Sequence, residues 1–152
     1  MWTFLNKARR NILTLATLTS LAAPAAAETG WDLLARIEIK EVITATTFEA
    51  HKTYPEELKA QANSFEITGY FVPVLPQGYQ SQFLLVPAPE DCPFCGSGGY
   101  GPTLEVHVKR PLPDLPEFSE LTVSGRLEFE ESTDTYQAVR LVDAVWEVGP
   151  RG

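Results

Sequence analysis

Leu121, Val123, Gly125, Leu127 and Phe129 alternate with Thr122, Ser124, Arg126, Glu128 and Glu130, so one apolar and one wet face repeat every two residues. That period belongs to a half-buried β-strand, whose successive side chains point to opposite faces. The same rule predicts strands over 64–74, 82–86, 103–108 and 136–148. Turn-forming residues divide them: Pro76, Gln77 and Gly78 between the first two, and Ser132, Thr133 and Asp134 between the last two. Two short helices are predicted ahead of the strands. Trp31, Leu34 and Ala35 share one side of 31–37, and in 55–60 Pro55, Glu56 and Glu57 set a proline and two acids where a first helical turn favours them. Between the helices, 42–48 is rich in β-branched residues and its period is ambiguous.

Five strands joined as an antiparallel meander, with a long last strand, predict a mainly β fold: a small OB-like barrel, closed or partly closed, with one or two short N-terminal helices. An open sandwich is the alternative. Gly69 and Gly125 each interrupt a strong strand, which marks places where a long strand must curl or approach another backbone closely. Pro111, Pro113 and Pro116 crowd one stretch that cannot be helical, because proline lacks the amide proton, and it reads as an extended connector across one end of the barrel.

The first 27 residues have a different character. Lys7, Arg9 and Arg10 precede a short apolar run over 12–21, and Ala25, Ala26 and Ala27 form a small-residue cleavage site, which together read as a secretory signal with the exported chain starting at Glu28. The run is too short for a permanent anchor, which needs about 20 apolar residues. A periplasmic location follows, and a mature protein that does not span the membrane. The 125 residues left suit a single domain over 28–152. They carry nine basic and all twenty acidic residues, a formal charge of −11. A surface of that sign repels nucleic acid and anionic membranes, and it favours partners that are cationic, metallic or small and uncharged.

Two thiols stand out against this background. Cys92, Pro93, Phe94, Cys95 and Gly96 open a loop that runs to Pro102 and contains Gly96, Gly98, Gly99 and Gly101. Outside the cytoplasm such a pair is a disulfide, a metal clamp or a redox couple. A bridge over so small a ring restricts the unfolded chain by only about 2 kcal/mol, so global stability explains the pair weakly. A structural zinc, or another divalent metal, wants four ligands. Cys92 and Cys95 supply two, and His107, on the polar side of Leu104, Val106 and Val108, is either a third or a surface histidine. His51 lies in a stretch with no clear pattern. Catalytic thiol exchange usually draws on a helix start that lowers the first thiol's pKa. Glycines follow Cys95 instead. Glycine also lets a ligand approach the backbone. Phe94, Gly98, Gly99 and Tyr100 are therefore candidate contact residues, with Tyr70 and Tyr79 as possible aromatic neighbours and Phe71 assigned to the core.

Gly69-Tyr70-Phe71-Val72-Pro73, then Phe83-Leu84-Leu85-Val86-Pro87, then Cys92 with Pro102, and finally Gly125 resemble the exported bacterial family of unknown function DUF3299, over residues 54–148. The resemblance implies a small OB-like periplasmic domain with no established enzyme activity, and an accessory role beside ABC transporters for metal ions. Many members of that family carry a histidine soon after the first cysteine. Phe94 and Cys95 stand there in this chain, which weakens a metal site carried over from the family unless Cys95 replaces the histidine.

No hydrolase arrangement or phosphate-binding glycine motif is present in the sequence. The expected function is a non-enzymatic periplasmic binding or accessory protein that uses the loop from Cys92 to Pro102, its partner a periplasmic or membrane transport component. The alternatives are a thiol-disulfide redox factor, and a purely structural disulfide in a protein-interaction module.

Overall fold

A computed structural model describes residues 29–91 and 102–149. Helix α1 (Gly30–Ala35) leads into a two-stranded hairpin, β1 (Glu38–Ile43) and β2 (Phe48–Thr53), followed by helix α2 (Glu56–Gln61). The remaining strands are β3 (Phe65–Pro73), β4 (Tyr79–Val86), β5 (Leu104–Pro113), β6 (Glu120–Phe129) and β7 (Val139–Val148). They close a barrel in the order β3-β4-β5-β7-β6, with β6 returning to β3.

The mainly β, OB-like expectation holds, but two of its details do not. The barrel is mixed rather than antiparallel, because β5 and β7 run parallel. A closed ring of five strands cannot alternate direction all the way round, so closure forces at least one parallel pair. Nor is the path a meander: β6 crosses to pair with β3, and β7 fills the gap between β6 and β5 as in a Greek-key barrel.

Alternation along the strands builds the core as expected. Phe65, Ile67, Phe71, Phe83, Leu85, Leu104, Val106, Leu121, Val123 and Leu141 point inward and are buried. Phe71 meets Phe83 edge to face at 5.3 Å. Leu33 and Leu34 of α1 and Leu58 of α2 join the same cluster. Helix α1 is pinned twice. Thr29 and Asp32 close a reciprocal capping box, and the indole Nε1 of Trp31 donates to the Thr68 carbonyl at 2.7 Å. The ring of Trp31 then lies over Gly69, where a Cβ would meet Val86 O at 2.6 Å and the indole at 2.9 Å.

Gly125 has a sharper role. Ser124 pairs with Val145 and Arg126 with Val142, so two residues of β7, Asp143 and Ala144, oppose the single Gly125. This is a β-bulge, and Asp143 takes its left-handed conformation at φ 53°. The β5–β7 ladder shifts at the same place, between Val106 and Val108. One irregularity therefore serves both neighbours of β7. A Cβ on Gly125 would stand 2.7 Å from Val142 O and 3.0 Å from Ala144 Cα, both backbone atoms.

Two segments depart from the sequence reading. The ambiguous 42–48 stretch contains the tip of the β1–β2 hairpin, where Thr44 N donates to Thr47 O at 2.9 Å and the two threonine hydroxyls lie 2.5 Å apart. Hydroxyls do here what glycine or asparagine usually does in a turn. Further on, Pro111 and Pro113 belong to β5 rather than to a free connector. Gln80 pairs with Leu112 and Gln82 with His107, so β5 carries five steps against two of β4 and bulges where its proline lacks a donor.

Replacing Gly125 with Ala should cost about 1–3 kcal/mol, because the atoms in the way are backbone and cannot swing aside. Gly78→Ala, with nothing within 4 Å of the added carbon, is the control. Urea unfolding checks it: the midpoint falls for Gly125→Ala and stays within error for Gly78→Ala, and equal midpoints would refute the close-approach account.

Candidate functional site

At one end of the barrel, a row of paired residues crosses the outer face from β4 to β6: Leu84, Glu105, Arg140 and Glu128. Glu105 is its chemical centre. Its Oε1 accepts from Gln82 Nε2 at 2.8 Å and lies 2.5 Å from His107 Nε2, while Oε2 accepts from Gln137 Nε2. Gln137 Oε1 in turn accepts from Arg140 Nη2 at 3.0 Å, and the same guanidinium nitrogen reaches Glu130 Oε2 at 3.0 Å. Strand alternation puts Gln82, Glu105, His107 and Arg140 on the wet face, and the β6–β7 loop brings Gln137 over them.

Beside this network is a cavity of about 850 Å³. Its walls are mostly apolar: Leu34 and Ile37, Ile39 of β1, Leu84 of β4, and Ala138 and Val139 at the start of β7. Glu105, Thr103 and Gln137 supply its polar groups, and Tyr136 and Pro102 complete the lining. The cavity thus separates the N-terminal hairpin from the β4–β5 face of the barrel.

The hairpin is held in place by contacts with the β6–β7 loop. Ala50 N donates to Thr133 O at 2.7 Å, Lys52 Nζ donates to the Ser132 carbonyl, and the rings of Phe48 and Tyr136 lie 4.8 Å apart. Just after β2, the hydroxyl of Tyr54 stands 2.7 Å from Glu130 O and 3.0 Å from Ala138 O, bridging the two ends of that loop. Burial, reinforced by the Glu131 and Glu130 charges, pushes the Tyr54 phenol up to about 12. Burial and the Glu41 carboxylate also raise the pKa of Tyr136.

The sequence-derived candidates fare unevenly. Cys92, Cys95, Phe94, Gly98, Gly99 and Tyr100 lie outside the described residues, as does the signal over 1–27. His107 sits on the polar face, as its spacing implies, and is bound to Glu105. His51 falls in β2 and bonds Glu49 at 2.8 Å. Phe71 is core. Tyr70 and Tyr79 are not brought together: Tyr70 pairs with Val86 and packs by Val72, whereas Tyr79 lies seven residues from Val86 along β4 and is 72% exposed. Among the described residues no group of three or more His, Cys, Asp and Glu side chains is placed to hold a metal ion, and no helix is long and apolar enough to cross a membrane. Gln82, Gln137, Leu84, Ile39 and Tyr136 went unnoticed as site residues. The one local signal was Glu105 two positions before His107, which puts an acid and an imidazole on the same strand face.

No protein-family model matches the chain, and neither a curated protein nor a solved structure matches it.

A phenol whose proton is held more tightly in the folded state contributes stability that is complete below its unfolded pKa near 10 and is lost as pH rises through about 12. Tyr54→Phe should therefore lower stability at pH 8 by about 1–2 kcal/mol, by taking the hydroxyl donor from the Glu130 carbonyl, whereas the Ala138 carbonyl keeps the Glu130 N–H. It should also flatten the loss between pH 10 and 12. Urea midpoints across that range, for both proteins, test the pair of statements, and parallel slopes would contradict the second.

Proposed function

We propose that this chain is a non-enzymatic binding or accessory protein that acts after export, and that its contact region is the cavity beside Glu105 together with the loop from Cys92 to Pro102. The observation that carries the reading is the position of the cavity. Counting the barrel strands in chain order, β4 and β5 are the second and third, and the β6–β7 loop joins the fourth and fifth, which is where OB-type barrels take their ligands. Pro102 and Thr103, which end the cysteine loop, line the same cavity. Its size falls within the range of small-molecule sites, and its make-up of apolar walls with a few placed polar groups is typical of them. A periplasmic role beside a metal-ion ABC transporter is what the resemblance to DUF3299 adds.

One observation favours metal handling as a second reading. A metal-binding imidazole commonly gives its other nitrogen to a carboxylate, which fixes the ring. Glu105 occupies that position on Nε2 of His107, leaving Nδ1 as the nitrogen for a metal shared with Cys92 and Cys95.

Fragment binding followed by amide chemical shifts tests the first reading. Small aromatic probes should perturb Ile39, Leu84 and Tyr136, and Leu84→Gln should remove the response; shifts clustered elsewhere on the barrel would overturn it. Equilibrium dialysis of the reduced protein against zinc tests the second. Stoichiometric binding that falls at least about tenfold, or about 1.4 kcal/mol, in both the Cys92→Ser/Cys95→Ser and His107→Ala variants is expected, and binding equal to that of the variants would end it.

A further inference from the structure

Glu105 is the feature of the cavity that its apolar walls do not explain. Its side chain is 21% exposed, it lines the cavity, and its partners among the described residues are two neutral amides and one imidazole. No lysine or arginine among the described residues pairs with it, since Arg140 is taken up by Glu130 and Gln137. None of its three donors is a permanent cation, so the carboxylate shares the cavity with Leu84, Val139 and Ile39 without a fixed countercharge, where low dielectric strengthens any interaction with an opposite charge. Its three hydrogen bonds hold it in one orientation and leave acceptor capacity on Oε2, which among the described residues has Gln137 as its one donor. Tyr136, half-exposed and packed against Phe48, adds an aromatic ring to the same lining, a residue type that attracts cations.

We propose that the cavity binds a small organic ammonium ion with an apolar, preferably aromatic, body: the body packs against Leu84, Ile39 and Val139, and the ammonium group donates to Glu105. This rests on the cavity being the binding site, as proposed above, and adds the charge class of the ligand. The acidic surface of the chain works in the same direction by concentrating cations around it.

Three probes of nearly equal shape separate the two claims: phenethylammonium, neutral 2-phenylethanol and anionic phenylacetate. They are titrated into the purified intact protein at pH 8 and followed by amide shifts of Leu84, Glu105 and Tyr136. The ammonium probe is expected to bind about tenfold more tightly than the alcohol, as a charge-assisted hydrogen bond should, and phenylacetate more weakly than either. In Glu105→Gln, which keeps the side-chain shape, the amine and the alcohol should bind alike. Equal affinities for amine and alcohol in the unaltered protein would overturn the charge assignment while leaving the cavity as the site. Failure of all three probes to shift these residues would overturn both. Because the probe series needs no variant, the inference stays testable if Glu105→Gln does not fold.

Discussion

Closing a ring of five strands is the constraint from which most of this structure follows. An odd ring must contain a parallel pair, and here it is β5 against β7. Strand β7 has to satisfy an antiparallel neighbour on one side and a parallel one on the other, whose hydrogen-bond spacings differ. The bulge at Asp143 and Ala144 reconciles them, and Gly125 leaves room for the Val142 carbonyl that the bulge pushes toward β6. Asp143 sits in a conformation that asparagine and aspartate tolerate better than most residues, and its carboxylate faces Arg126 at 3.4 Å on the strand it bulges against.

The same closure assembles the site. Inserting β7 beside β5 sets Arg140 opposite Glu105 and carries the β6–β7 loop across the start of β5, so that Gln137 reaches the Glu105 carboxylate. A second device gives the cavity its other wall. Tyr54 clasps the two ends of that loop while Ala50 bonds to Thr133, and the hairpin is thereby fixed at a distance from β4 instead of collapsing onto it. Ile39 is left 39% exposed, on a strand that pairs with β2 alone in its sheet.

Much of the barrel was legible because its strands bury one face. The period-two pattern located β3 and β6 to within a residue or two, and the two interrupting glycines marked close approaches. What was not legible depended on partners rather than on local pattern. Nothing in 136–148 says that its neighbour will be β5, so the parallel pair and the crossing were invisible until closure was imposed. The hairpin was missed because Thr44 and Thr47 make its turn without glycine, proline, asparagine or aspartate. The site was half legible: Glu105 and His107 share a strand face by spacing alone, whereas Gln82 lies 23 positions and Gln137 32 positions from Glu105, separations that leave no local trace.

A purely structural account of Glu105 has some force, since an ionised carboxylate only accepts and has about four lone-pair sites, enough for hydrogen bonds from three side chains at once, and it ties β4, β5 and the β6–β7 loop together. That role fixes where the charge is but does not neutralise it. Two amides and an imidazole bring no permanent cation to the carboxylate, and the cavity lining adds none, its further side-chain donors being the hydroxyls of Thr103 and Tyr136. A group that served only to join strands would be better paired with the nearby guanidinium of Arg140, as Glu130 is. Gln137 instead stands between them, bonded to both, so that the cation is spent on Glu130 and the field of Glu105 is left directed into the cavity.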